Sequence, residues 1–203
     1  EDHAVTLFDK GELNASDATG RIAAAMIAPT AESVVASQDI VTMGHSSLAL
    51  WPDLLSYLDL DVDFQRQGSI ILAHRQDEAD LVSFTQRVSL ENDDDLQELS
   101  QGELAQLEPD IAQQFSRMLL LPNEGQIENS QLYRQSEAHL LNSAVTLKLL
   151  STVTIEGNCV VERLHDKQHD FDLVIDCRGL GASNALLNPH KSLRGVRGEV
   201  IRV

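Results

Sequence analysis

The sequence predicts an α/β fold that carries some antiparallel sheet, and three observations predict it. Phe171, Leu173, Val174 and Ile175 make residues 171–176 a nearly continuous apolar run, the kind found in a strand covered on both faces, and a glycine turn follows over 177–182. Residues 46–58 and 77–90 place apolar side chains at helical spacing. Short strand-forming runs, split by polar breaks, lie around these helices without a tidy alternation of strand and helix.

Taken in order, Ala4, Val5, Thr6, Leu7 and Phe8 form a first strand, closed by Asp9, Lys10 and Gly11. Residues 14–28 are rich in small side chains and allow at most a short helix, which Pro29 is expected to stop. Leu48, Trp51, Leu54, Leu55 and Leu58 mark a helix with Pro52 early in its pattern. Residues 63–74 read as a strand pair bent near Gly68. Leu81, Phe84 and Val88 give 77–90 its apolar face, and Ser100 with Glu103 fits a capping box that opens a helix ending at Pro109. Residues 118–121 form a strand before a turn at Pro122, Asn123, Glu124 and Gly125. Asn129 or Ser130 caps a helix to about Asn142, with Leu132, Ser136, His139 and Leu140 on one face. Strands over 145–150, 152–155, 160–164 and 171–176 follow, then a short helix near 184–187.

Composition narrows the function. The 203 residues carry 15 Lys and Arg against 32 Asp and Glu, a formal net charge of −17, which argues against nucleic acid because phosphate binding needs clustered cations. An apolar share of 42% and a charged share of 23% are those of a globular chain. No apolar run is long enough for a membrane span, and the first ten residues lack the basic-then-apolar pattern of a secretory signal. Cys159 and Cys177 are too few for a disulfide framework; they read as buried thiols in a reducing cytoplasm. The strand-like runs at both ends, 4–8 and 199–203, do not look like domain boundaries, so a fragment is expected.

Three segments carry candidate chemistry. Gly179 and Gly181, directly after an apolar strand, either let the backbone approach a dinucleotide phosphate or simply make a tight turn. Asp9 ends a strand, as does the acid that binds ribose hydroxyls in a dinucleotide-binding unit; nothing in the chain supplies the glycine fingerprint that stands about 20 residues earlier in such units. Residues 18–32 set small side chains beside Met26, which suits either close approach to a flat ring or tight packing on a sheet.

Together and in this order, these segments resemble the FAD-dependent D-amino acid oxidase superfamily and, within it, the glycine oxidase (ThiO-like) branch. The similar stretches are VTLFDK, AAAMIAPTAE, SLALWPDLL, QGSIILAHR, LLLPNEGQIEN and DLVIDCRGLGA followed by LRGVRGEVIRV, from one end of the chain to the other. The resemblance implies an FAD-binding Rossmann-like domain of the glutathione-reductase type, interleaved with a mixed or antiparallel-sheet substrate domain, both incomplete. It implies residues 1–45 and 129–195 for the FAD domain, 46–128 for the substrate or cap domain and 196–203 for the return into the latter. Asp9 matches the ribose-binding acid, usually Glu, and Lys10 stands beside the adenosine. Thr19, Gly20, Ala24, Ala25 and Met26 match the segment lining pyrophosphate and flavin, with Met26 nearest the reactive face. Val153 resembles the residue whose backbone meets adenine, Gly179 and Gly181 the turn against the cofactor phosphates, and Arg197, Gly198 and Glu199 the step into the substrate domain. The implied reaction oxidises glycine or another small amine or amino acid. The Arg that clamps the substrate carboxylate lies outside this sequence, so no catalytic residue and no metal are assigned.

Other signals carry less. Asp59, Asp61 and Asp63 imitate the start of a calcium loop, but Phe64 and Ile70 stand where Gly and Glu are needed. His165 and His169 have helical spacing in a polar turn, which does not aim both at one metal. Lys191, Arg194, Arg197 and Arg202 form a small basic patch. Remaining alternatives are another amine oxidase, a D-amino acid dehydrogenase, or a truncated non-catalytic binding or scaffold relative. Self-association into a homo-oligomer stays open.

Overall fold

The structure, a computed structural model, describes residues 3–16, 18–89, 96–185 and 195. In chain order its elements are β1 (Thr6–Phe8), α1 (Thr19–Ile22), β2 (Met26–Ile27), α2 (Pro29–Glu32) and α3 (Gln38–Tyr57). Next come β3 (Phe64–Gln65), β4 (Ser69–Leu72), a 3-10 turn at Arg75–Asp77, α4 (Glu78–Ser89), β5 (Gln97–Leu99) and α5 (Gln101–Leu107). β6 (Met118–Leu121), β7 (Gly125–Ile127), α6 (Asn129–Leu141), β8 (Thr146–Lys148), β9 (Val153–Glu156), β10 (Cys159–Glu162), β11 (Lys167–Asp170) and a 3-10 helix at Gly179–Ala185 complete the set. The mixed α/β class expected from the sequence is the one observed. The chain divides into two compact units, one of Glu1–Ala24 with Tyr133–Val203 and one of Ala25–Leu132.

In the Ala25–Leu132 unit, β6 is the central strand of the antiparallel sheet β4-β6-β5. Alternate residues of a strand face opposite ways. Met118 points into a cluster with Leu104 and Ala112, packed by Ile70, Leu72, Leu99, Ile111 and Phe115. Leu119 and Leu121 on the other face are equally buried, so β6 has apolar cover on both sides. A second small sheet, β2-β7-β3, is also antiparallel, with Met26 opposite Gln126 and Ile27 opposite Gly125. At one end of each sheet a glycine is pressed against the neighbouring strand: a Cβ at Gly68, just before β4, would lie 2.6 Å from the Leu121 carbonyl oxygen of β6. One at Gly125 would lie 2.8 Å from that of Gln65. Gly68 also adopts φ +86, a conformation open to glycine at little cost.

The other unit holds the parallel pair β1-β8 and the antiparallel meander β11-β10-β9. Val160 on β10 is its most enclosed strand residue. Phe8 and Phe171 meet edge to face, with ring centroids 6.1 Å apart. Gly20 on α1 is glycine for a packing reason, since a Cβ there would collide with the Tyr133 hydroxyl on α6.

Several expectations need correction. Residues 171–176 form no strand; Leu173 and Ile175 are exposed, and no neighbouring strand among the described residues pairs with the segment. Apolar, β-branched composition favours a strand, but a strand exists only as a pairing. Cys177 follows that segment and is exposed, and Cys159 is half-buried, so neither is the buried thiol expected. Pro29 opens α2 instead of ending a helix, and Ala23 to Ala25 are not helical. Proline suits the first helical turn, where its missing N–H would have no partner. The helix α3 starts eight residues before the expected residue 46 and takes Pro52 into its interior. Its buried residues Val41, Leu48 and Leu55 repeat every seven, while Leu54 is exposed. The strands either side of Gly68 belong to different sheets and do not pair with each other. The strand β11 was not anticipated. Residues 186–187, 199–203 and the basic patch of Lys191, Arg194, Arg197 and Arg202 fall outside the described residues.

The capping box is present as expected: the Ser100 hydroxyl accepts from the Glu103 amide, and the Glu103 carboxylate accepts from the Ser100 amide at 2.7 Å. Replacing Ser100 by Ala should lower stability by about 1 kcal/mol in chemical denaturation. Gly68→Ala should cost more, about 2 kcal/mol or above, because strain at positive φ adds to a clash with a backbone oxygen.

Candidate functional site

Asp9 is held at the end of β1 by backbone bonds on two sides. Its amide donates to the Lys148 carbonyl at 3.0 Å and its carbonyl accepts from the Ser151 amide at 2.8 Å. Its carboxylate bends back, Oδ1 accepting from the Gly11 amide at 2.7 Å. Asp and Asn favour such local turns because a short side chain reaches the backbone two residues on. The side chain is exposed, and among the described residues Oδ2 remains open to a second donor. Lys10 is exposed beside it.

Two residues after Ser151, Val153 begins β9. Its carbonyl accepts from Arg178 Nη1 at 3.4 Å, which ties the glycine turn to the meander. Arg178 grips Asp176 with two further bonds, Nε to Oδ1 at 2.8 Å and Nη2 to Oδ2 at 2.7 Å. Those bonds hold the Asp176 carboxyl below the usual range and the Arg178 guanidinium above its own. Gly179 then adopts φ +56 with open space where a Cβ would stand, while a Cβ at Gly181 would touch Arg178. Thus Asp9, Val153, Gly179 and Gly181 are linked through Ser151 and Arg178 within one unit. Thr19 and Gly20 lie on α1 of that unit, with Ala24 just beyond it.

Ala25 and Met26 belong to the Ala25–Leu132 unit. Ala25 takes φ 58, and its carbonyl accepts from the Ile127 amide at 3.1 Å. Such a backbone costs a non-glycine residue about 1–2 kcal/mol. Met26 follows on β2, 53% exposed. Thr30 is buried, and among the described residues its hydroxyl has no partner.

Reasoning from sequence missed two polar clusters. On the meander, His169 Nε2–H donates to Glu162 Oε1 at 2.6 Å and the Ser151 hydroxyl donates to Oε2 at 3.0 Å. The hydrogen bond from His169, then that from Ser151, hold the Glu162 carboxyl below its usual range. Diagonal neighbours on adjacent strands, Glu162 on β10 and His169 on β11, gave the signal, but it needed β11 to be recognised. The second cluster surrounds Glu124, 1% exposed in the turn after β6. Its Oε1 accepts from the Ala31 amide at 2.7 Å, and Oε2 accepts from the Ser69 hydroxyl. Burial raises the Glu124 carboxyl; those two bonds oppose the shift, Glu32 adds to it and His45 lowers it. An acid between an apolar strand and a glycine was the available sign.

The chain belongs to the family of FAD-dependent oxidoreductases (DAO), matched over residues 1–203. Within that family it is similar to a Rhizobium etli protein that bears the name of a thiamine biosynthesis oxidoreductase, ThiO. The two are 28% identical over 199 residues, which is 98% of this chain and 53% of that protein. Its fold is similar to that of glycine oxidase from Geobacillus kaustophilus, with TM-score 0.63 and 25% identity over 79% of this chain and 44% of that one. Glycine oxidase from Bacillus cereus shares the fold at TM-score 0.61 and 17% identity, over 78% of this chain and 45% of that one. The chain therefore spans about half the length of the relatives it matches.

The two carboxyls predict opposite pH trends. For Glu162, lowered on folding, the stabilisation is present above the ordinary carboxylate value of about 4.3 and lost as pH falls through the folded value. The melting-temperature deficit of Glu162→Gln should therefore be largest at neutral pH and shrink in acid. For Glu124, raised on folding, stability is complete below that ordinary value and declines as pH rises through the folded one. The melting temperature of wild type relative to Glu124→Gln should therefore fall as pH rises from acid toward neutral.

Proposed function

We propose that the protein oxidises glycine or another small amine or amino acid with bound FAD, serves thiazole formation in thiamine synthesis, and works in the cytoplasm. The observation that carries the reading is Asp9, an exposed acid at the end of a parallel strand with Oδ2 open, linked through Ser151 and Arg178 to the glycine turn. Membership of an FAD-dependent oxidoreductase family and similarity to glycine oxidases support it. Among the described residues no helix is long and apolar enough to cross a membrane.

The residues present fit the adenosine end of such a cofactor. Asp9 would accept from ribose hydroxyls, Lys10 would stand beside the adenosine, and Val153 would meet the adenine through its backbone. Gly179 leaves the space that a phosphate needs near the chain, and Gly181 continues that turn. Thr19, Gly20, Ala24, Ala25 and Met26 would line pyrophosphate and flavin, Met26 with its thioether toward the ring. In this assignment residues 1–45 and 129–195 form the cofactor domain, 46–128 the substrate domain, and 196–203 the return into it. FAD supplies the hydride acceptor and the route for electrons to oxygen. The chain's own residues hold and orient; the substrate is released as an imine that water converts to ammonia and the carbonyl product, an oxo acid where the substrate is an amino acid.

Expression of the complete gene should give a yellow protein that releases peroxide with glycine or a related amine. Dye reduction without peroxide would favour a dehydrogenase, and a colourless protein that stays so with added FAD a non-catalytic relative. Asp9→Ala in the complete protein should weaken FAD binding by about tenfold or more, from loss of a charge-assisted hydrogen bond.

A further inference from the structure

A carboxylate removed from water is unfavourable unless donors replace the water it loses. Glu124, 1% exposed, has two such donors, and they belong to segments far apart in the chain. Ala31 is the third residue of α2, so its amide is one of the orphan donors of a helix start. Ser69 is the first residue of β4. The backbone of Glu124 is fixed as well, its carbonyl accepting from the Gly68 amide at 3.0 Å. The ionisable groups acting on the carboxylate are Glu32 of α2 and His45 of α3.

The same segment is gripped elsewhere. A Cβ at Gly44 on α3 would lie 2.8 Å from the Pro29 Cβ, so α3 packs directly on the start of α2. Before α2, Met26 and Ile27 pair with β7, whose first residue, Gly125, follows Glu124 in the chain. Residues 26–31 are thus bound at one end by a strand ladder and at the other by a single side chain.

We propose that Glu124 is a positioning residue: its buried carboxylate clasps the Ala31 amide and the Ser69 hydroxyl, holding the 25–32 segment in the shape that sets Met26 toward the flavin. The flavin contact rests on the proposed function; the clasp does not. The chemistry of the two partners makes the clasp selective. The Ala31 amide can only donate, whereas the Ser69 hydroxyl can also accept. A glutamine can therefore replace the acid, with its carbonyl toward Ala31 and its amide toward Ser69. An alanine leaves the Ala31 amide without a partner.

The test uses the complete protein with its flavin, as wild type, Glu124→Gln, Glu124→Ala and Ser69→Ala. Amide hydrogen exchange of the 25–32 peptide is read by mass spectrometry against the 78–89 helix, with kcat and KM per bound flavin alongside. Glu124→Ala should speed exchange of 25–32 by about tenfold, leave 78–89 unchanged, and lower kcat more than it raises KM. Glu124→Gln should stay within about threefold of wild type on every readout, and Ser69→Ala should fall between. Unchanged exchange and kcat in a folded Glu124→Ala protein would overturn the proposal, as would a glutamine variant as impaired as the alanine one. Should Glu124→Ala fail to fold, faster exchange in Ser69→Ala supports the clasp and wild-type exchange there overturns it. A wild type without flavin or amine oxidation refutes the proposed function alone, since the exchange comparison still decides the clasp.

Discussion

The Ala25–Leu132 unit depends on one crowded place, the turn that joins β6 to β7. There the backbone of Gly68 lies against the Leu121 carbonyl and Gly125 lies against Gln65. A side chain on either glycine would push its strand off its own ladder neighbour, Gly68 off β6 and Gly125 off β3. Into the same turn the chain puts an acid and buries it. Glu124 keeps its place by giving each oxygen a donor, one from α2 and one from β4. Close packing sets the distances, and the carboxylate makes them specific, because the Ala31 amide demands an acceptor while the Ser69 hydroxyl needs a second polar atom on the same side chain.

The other unit is organised by hydrogen bonds at strand ends more than by a large core. The parallel pair β1-β8 continues past its last residues through the Asp9 and Ser151 backbones, and the Ser151 side chain passes the connection on to Glu162 and His169. Arg178 adds a bond from the glycine turn to β9. The chain of contacts runs from the strand-ending acid to the turn without an apolar side chain as intermediary. An arrangement of this kind leaves Asp9 exposed while fixing its backbone, which suits the ribose-binding role proposed for it.

Local chemistry explains which features were legible in the sequence. The capping box at Ser100 and Glu103 involves residues three apart, and it formed as read. The strand 118–121 and the helix after Asn129 likewise follow from runs of one character bounded by turn residues. Where a feature depends on a distant partner, the reading failed. The helical period in α3 was correct, yet the period alone did not say that Leu55 would be covered and Leu54 exposed. Pro52 suggested a helix start because proline favours that position, but the heptad of Val41, Leu48 and Leu55 carried the helix through it. The same limit applies to the candidate site. Residues 9 and 179–181 were visible as types in a pattern, whereas Glu124, Arg178 and the Glu162–His169 pair act through partners 25 or more positions away or across a ladder.

The segment 171–176 sharpens that point. Its composition is the most strand-like in the chain, yet its only described backbone tie is the Phe171 amide to the Asn158 carbonyl, with the Asn158 side chain donating to the Asp172 carbonyl. Leu173 at 73% exposure and Ile175 at 76% show an apolar face without cover among the described residues. Apolar composition states what a segment needs, and pairing states whether the need is met. Ala25 makes the complementary case: a residue with high helix propensity sits at φ 58, beside the ladder of β2 with β7 that its own carbonyl extends by accepting from the Ile127 amide. At residues 25–27 the ladder overrules the local preference, and the chain becomes helical again at Pro29. The Glu124 carboxylate, bonded to the Ala31 amide, joins that ladder in holding the segment proposed to meet the flavin.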